Sequence, residues 1–208
     1  MSGGLSVYER TLAEASGSLT VTGPQGGVIR VDVATWCRRR VPGDAGLLDR
    51  CGGPTLDVGC GPGRLAAALL RRGVPALGID ISATAVRLAR RRGAIALRRD
   101  VFGGTPGAGR WRHLLLADGN IGIGGDPARL LARCRELIAA DGEVHVELHP
   151  PGVPSWAGRA TLRSADASAP IRWAVVAADD VAAPAVRAGL RVAQTWTEAG
   201  RWFATLTR

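Results

Sequence analysis

From Pro54 onward, short apolar runs alternate with amphipathic stretches of about ten to fifteen residues, the pattern of parallel strands joined by crossover helices. Apolar runs at 54–58, 75–79, 95–99, 111–117 and 143–149 predict five strands. Between them, 63–72 carries Leu65, Leu69 and Leu70 on one helical face, and 82–92 carries Ala85, Val86, Leu88 and Ala89 behind Ser82 as N-cap. Asp126-Pro127 supplies a cap and a first-turn proline for a helix reaching Ala140, which Asp141-Gly142 is expected to stop. The last sixty residues break the alternation. Segments 157–163 and 170–176 predict a hairpin, 179–188 a helix, and 190–197 with 202–207 two strands around Gly200. A parallel sheet closed by an antiparallel pair follows. In the first fifty residues the pattern predicts a helix at 5–15, a hairpin across Pro24 to Gly27 and a helix at 34–40.

The chain has 208 residues, which suits one domain over 1–208, with 1–46 an accessory segment and 150–178 an inserted hairpin near the substrate pocket. No run approaches the length needed to cross a bilayer, and Glu9, Arg10 and Glu14 interrupt any leader-like N-terminus, so a cytoplasmic location and no membrane partner are expected. The net charge is +9, yet all 27 basic residues are Arg, which points to coding bias more than to selection for phosphate contacts. With no Lys in the chain, P-loop and Schiff-base chemistry are excluded. Cys37, Cys51, Cys60 and Cys134 form no C-x-x-C pair and have no histidine near them in sequence, so neither disulfide nor metal is expected.

The chemistry-bearing stretch is Leu56-Asp57-Val58-Gly59-Cys60-Gly61-Pro62-Gly63, running from the first core strand into the next helix. Glycines there let backbone fold tightly and approach a ligand, and the helix N–H groups favour an anionic group. A dinucleotide fits poorly: its fingerprint wants glycine where Arg64 stands, and Asp57 would oppose a pyrophosphate. A ligand carrying an ammonium group suits that carboxylate.

These residues resemble motif I of the class I S-adenosylmethionine-dependent methyltransferases. The resemblance implies an α/β fold: a doubly wound, seven-stranded, mostly parallel sheet with an antiparallel last strand and helices on both faces. It further implies that the methionine part of S-adenosylmethionine lies over Gly59, Cys60, Gly61 and Gly63, with Asp57 at its ammonium end. Asp80, ending the second core strand, matches the family's ribose-binding acid, with Ile81 against the adenine. Asp100 matches the adenine-contacting acid, with Val101 beside the ring. Taken singly, each carboxylate also reads as an ordinary cap or turn residue.

Methyl transfer needs alignment more than a catalytic group, so substrate signals must come from loops. In 117–125, Asp118 and Asn120 are expected to contact the cofactor or to order the glycine-rich loop. The Asn/Asp-Pro-Pro-Tyr/Phe motif is absent, which disfavours nucleic-acid bases and glutamine as acceptors. His145, Glu147 and His149 alternate along one strand face. Only His149 falls at the crevice end, as candidate general base; His113 starts its strand at the opposite edge and is expected to be structural. Tyr8, Trp36 and Trp156 are candidate aromatic walls for a substrate, or plain packing. The leading expectation is an enzyme that methylates a small molecule. A nicotinamide-dependent oxidoreductase, a cofactor-binding module without transfer activity and an RNA methyltransferase are the alternatives.

Overall fold

The computed structural model describes residues 2–208. Ahead of the core come α1 (Ser2–Glu14), β1 (Ser18–Thr22), β2 (Val28–Asp32), α2 (Val33–Cys37) and α3 (Asp44–Arg50). The alternating part follows as β3 (Thr55–Val58), α4 (Arg64–Arg71), β4 (Ala76–Asp80), α5 (Ala83–Arg91), β5 (Ala96–Arg98), β6 (Trp111–Leu116), α6 (Pro127–Leu137) and β7 (Ile138–Leu148). The chain closes with β8 (Trp156–Arg163), β9 (Ser168–Val175), α7 (Ala182–Arg187), β10 (Arg191–Glu198) and β11 (Arg201–Thr207).

The main sheet has seven strands in the order β10-β11-β7-β6-β3-β4-β5. β3 pairs in parallel with β4 and β6, whereas β11 runs antiparallel to both β7 and β10. Every residue of β3 and β4 is buried, as expected of strands covered on both faces. One face packs Leu114, Leu116, Val144 and Val146 against Leu130, Leu131 and Ala185 of α6 and α7. The other sets Leu115 and Phe203 against Leu47, Leu65 and Leu69 of α3 and α4. The strand order reverses at β3, so a ligand crevice belongs outside the carboxyl ends of β3, β4 and β6.

The accessory pieces join. β1, β2, β8 and β9 form a second, antiparallel sheet in the order β2-β1-β8-β9, with Val21 opposite Leu162. Its core brings Val7 and Leu12 of α1 together with Leu19, Val33, Ala160 and Leu162. Helix α1 also reaches α5, where Glu9 accepts from Ser82 Oγ at 2.9 Å. The glycine-rich segment after β6 lies beneath this sheet. A Cβ on Gly122 would stand 2.2 Å from the Ala174 carbonyl, and one on Gly125 2.8 Å from the Gly158 carbonyl. Only bare backbone lets β8 and β9 pass so close.

Two sequence expectations need correction, and one helix was not expected. Helix α6 ends at Leu137, not Ala140, and β7 begins at Ile138. Asp141-Gly142 is therefore inside the strand, where the register to β6 shifts; a side chain at 142 would meet the Trp111 carbonyl at 2.8 Å. Helix α7 starts at Ala182 because Asp179 and Asp180 are engaged upstream, accepting from Gly152 N–H and Ser155 Oγ. Helix α3 has no counterpart in the sequence reading. No helix among the described residues is long and apolar enough to cross a membrane.

Candidate cofactor-binding site

The turn between β3 and α4 is built of backbone whose φ is positive at Gly59, Gly61 and Gly63. The three glycines serve different ends. A side chain on Gly59 would strike the Asn120 amide at 2.7 Å, and one on Gly63 would strike Ala89 of α5 at 2.7 Å. At Gly61 a Cβ would meet only the Tyr8 hydroxyl, in ordinary contact at 3.6 Å, so this is the one glycine of the three that packed neighbours do not close off. Asn120 holds the turn from behind, donating from Nδ2 to the carbonyls of Val58 and Gly59, each at 2.9 Å. These bonds tie the segment after β6 to the glycine turn. Cys60 turns inward against Gly78, and burial pushes its thiol pKa up.

Asp57 and Asp80 approach this turn from neighbouring strands. Asp57 is buried and accepts from Ala66 N–H at 3.2 Å, in the first turn of α4, where the helix dipole favours an anion. Burial raises its pKa to about 7 despite Arg64, with Asp118 adding to the rise. Asp80, also buried, accepts from Gly61 N–H at 3.0 Å and from Ser82 N–H at 2.8 Å. Burial raises its pKa too, against those two hydrogen bonds. Asp80 and Gly61 are therefore one unit. Each carboxylate oxygen keeps a second lone pair for a hydroxyl.

Farther along, Ile81 is 50% exposed, an unusual position for an isoleucine and a free apolar surface next to Asp80. Asp100 is exposed and accepts from Phe102 N–H at 2.9 Å, while Val101 is buried in the main core. Tyr8 comes from α1 to the glycine turn; burial and the charges of Asp80 and Asp118 raise its pKa and keep the hydroxyl protonated. Trp36 meets Tyr8 edge-on at 6.0 Å. Trp156 lies under the turn from β1 to β2, where a Cβ on Gly23 would sit 2.5 Å from its ring. His149 is at the carboxyl end of β7; burial lowers its pKa and leaves the ring neutral, and the ring has no hydrogen bond among the described residues. Its N–H pairs with Val176 at 2.9 Å.

Sequence reasoning missed a buried ion cluster beside the turn. Arg64, the first residue of α4, is 3% exposed and pairs with Asp44 and, at 2.6 Å, with Asp118. Arg201 of β11 grips Glu147 through two hydrogen bonds of 2.8 and 2.7 Å and reaches Asp44 at 2.9 Å and Asp118 at 3.4 Å. Burial alone would raise the Asp44 pKa, but bonding to Arg64 outweighs it and brings the pKa below the usual value. For Asp118 burial wins and the pKa is raised. The signal was available: a cation at a helix N-terminus opposes the dipole, so a buried Arg64 requires acidic partners.

With this geometry in view, residues 55–142 match the family model described as a methyltransferase domain. The sequence matches none of the curated proteins. That stretch is the part of the chain that resembles a methyltransferase domain. The methyltransferase fold extends beyond the matched stretch. A Bacteroides fragilis S-adenosylmethionine-dependent methyltransferase, solved with S-adenosylhomocysteine, is 21% identical with a TM-score of 0.75, covering 98% of this chain and 93% of its own. The 1,6-didemethyltoxoflavin N1-methyltransferase of Burkholderia thailandensis is 18% identical (TM-score 0.60; 79% and 76% covered). The sugar N-methyltransferase of a Streptoalloteichus species is 17% identical (TM-score 0.59; 78% and 82% covered). The first match takes in nearly the whole chain, the accessory sheet included, whereas the other two leave about a fifth of it uncovered.

Proposed function

We propose that this methyltransferase acts on a small-molecule acceptor, received between the glycine turn and the accessory elements that bring Tyr8 and Trp36 over it. The observation that carries the reading is the buried Asp80 carboxylate bonded to Gly61 N–H, which ties an acid able to accept from a hydroxyl to the least crowded glycine of the turn. The residues present fit S-adenosylmethionine: Asp80 for the ribose hydroxyls, Ile81 and Asp100 for the adenine, Gly61 and Asp57 for the methionine end. When bound, this cofactor supplies a methyl group on a positively charged sulfur.

The chain's own task is then placement and exclusion of water, which can contribute on the order of 7–11 kcal/mol to a two-reactant step. Tyr8, protonated, serves as a hydrogen-bond donor over the turn. His149, neutral and with no hydrogen bond to its ring among the described residues, is suited to take the proton of a hydroxyl acceptor; an amine acceptor needs no such help. Support for a small acceptor comes from the accessory sheet and α1 packed beside the crevice. The neighbours named above, with toxoflavin-precursor and sugar substrates, give the same direction.

Calorimetric titration with S-adenosylhomocysteine tests the reading. Asp80→Ala should weaken binding by about 1.5–3 kcal/mol, through loss of charged hydrogen bonds. Unchanged affinity in that variant would remove Asp80 from the site, and tight binding of a nicotinamide cofactor instead would overturn the assignment.

A further inference from the structure

At the opposite end of the strands from the cofactor crevice, three side chains distant in sequence converge. Cys51 follows α3, His113 lies near the start of β6, and His145 is in β7; all are buried, and their ligand atoms lie within 4.8 Å of one another. Glu143, outside that group of three, lies beside the two rings. Its Oε2 is 3.6 Å from His113 Nδ1 and 3.6 Å from His145 Nε2, and those two nitrogens are 3.1 Å apart. A tetrahedral ion with bonds of about 2.0–2.2 Å to nitrogen and oxygen spaces its ligand atoms about 3.3–3.5 Å apart. The three edges among Glu143, His113 and His145 come within about 0.2 Å of that range, and the Cys51 sulfur, within 4.8 Å of the two nitrogens, moves in to close the tetrahedron.

The surroundings also fit. The other ring nitrogen of His145 is 3.0 Å from Thr205 Oγ1, a contact that orients the imidazole with Nε2 toward the cluster, where it now bonds to His113 Nδ1. Two nearby guanidinium groups are committed elsewhere: Arg50 stacks on Trp196 at 3.7 Å, and Arg112 pairs with Asp141. A cleft of about 410 Å³ bordered by Arg50, Gln194 and Thr205 opens onto Glu143 and His145 and gives an entry path. Leu115 and Phe203, buried on the same face, separate this cluster from the ions around Arg64.

We propose that Cys51, His113, Glu143 and His145 hold one zinc ion in a structural site independent of the cofactor crevice. On binding, the Cys51 S–H bond gives its proton to solvent and the sulfur takes the metal. Thiolate and carboxylate then balance the two positive charges. Two neutral imidazoles and two anions suit a borderline-soft divalent ion better than magnesium or calcium, which favour all-oxygen shells.

Cobalt(II) added to the chelator-treated full chain is the probe. One equivalent should bind with the strong visible bands of a four-coordinate ion and a thiolate-to-cobalt charge-transfer band. Cys51→Ser should abolish the charge-transfer band, and Thr205→Val should weaken binding by about 10-fold through loss of the orienting contact. Binding of S-adenosylhomocysteine by each variant reports that it is folded. Where Cys51→Ser does not fold, Glu143→Gln, whose side chain is 36% exposed, replaces it and should weaken cobalt binding at least 10-fold. A six-coordinate cobalt spectrum, a charge-transfer band that survives Cys51→Ser, or Glu143→Gln binding as tightly as the parent overturns the proposal. The cluster would then be a pair of hydrogen-bonded histidines only.

Discussion

Glu147 and His145 stand two residues apart on the same face of β7, yet they belong to clusters held by different physics. At the crevice end, Asp44, Arg64, Asp118, Glu147 and Arg201 share charge in a mostly buried setting. At the far end, His113, His145 and Thr205 are joined by neutral hydrogen bonds of 3.1 and 3.0 Å, and burial drives the His145 pKa down to about 3. The sheet is the same and the burial is similar. What differs is the penalty for losing a partner: an abandoned buried charge costs far more than an abandoned neutral group.

The largest expected effect follows from that difference. Arg64→Met removes the guanidinium between Asp44 and Asp118 and should destabilise the protein by about 3–5 kcal/mol, read as a shift in the urea midpoint. Arg64→Lys should not restore the loss, because an ammonium cannot span two carboxylates with a planar fork. A drop below about 1 kcal/mol would mean that Asp44 and Asp118 are satisfied without Arg64, the behaviour of exposed ion pairs.

Asp57 sharpens the contrast through pH. Its pKa is about 7 in the fold against an ordinary 3.8. Between those values the folded chain holds a proton that the unfolded chain has released, so this group's contribution is fully present below about pH 4 and is lost as pH rises through 7. Stability of the cofactor-free protein should therefore increase from pH 8 to pH 5 by less than the Arg64 effect. Asp57→Asn should flatten that part of the profile, as seen by denaturation at each pH. An identical slope in the variant would assign the dependence to other groups.

The sequence made the core of this arrangement readable because buried parallel strands appear as apolar runs, and because the turn from Gly59 to Gly63 and Asp80 follow or end those strands within a few residues. What escaped reading depends on contacts across long sequence separations. Val21 pairs with Leu162, Arg64 with Asp44 and Asp118, and Cys51 meets His113 and His145 only after the sheet has formed. Helix α3 begins after Gly43 in the left-handed region and carries Gly46, so neither propensity nor a side-chain cap announces it. The strand at 138–142 was hidden because helical periodicity runs on past Leu137 and Asp141-Gly142 imitates a stop. Arg64 entered the sequence argument only as the residue that spoils a dinucleotide fingerprint. Its burial gives it a second role, tying the glycine turn to the last strand through Asp118 and Arg201.

The smallest effect belongs to the far end. Thr205→Val keeps shape and removes only the hydroxyl 3.0 Å from His145 Nδ1, so in chelator-treated protein it should cost about 0.5–1.5 kcal/mol. The loss should be insensitive to salt, since no full charge is exposed or removed. Cofactor affinity should be unchanged, because Leu115 and Phe203 lie between this hydroxyl and the glycine turn. A loss as large as that of Arg64→Met would show that the histidine pair carries charge after all and that the two ends of the face are alike. Combining Thr205→Val with Arg64→Met gives the decisive number: additive losses mean that the two clusters are independent, and a shortfall beyond about 0.5 kcal/mol means that they are coupled through β7.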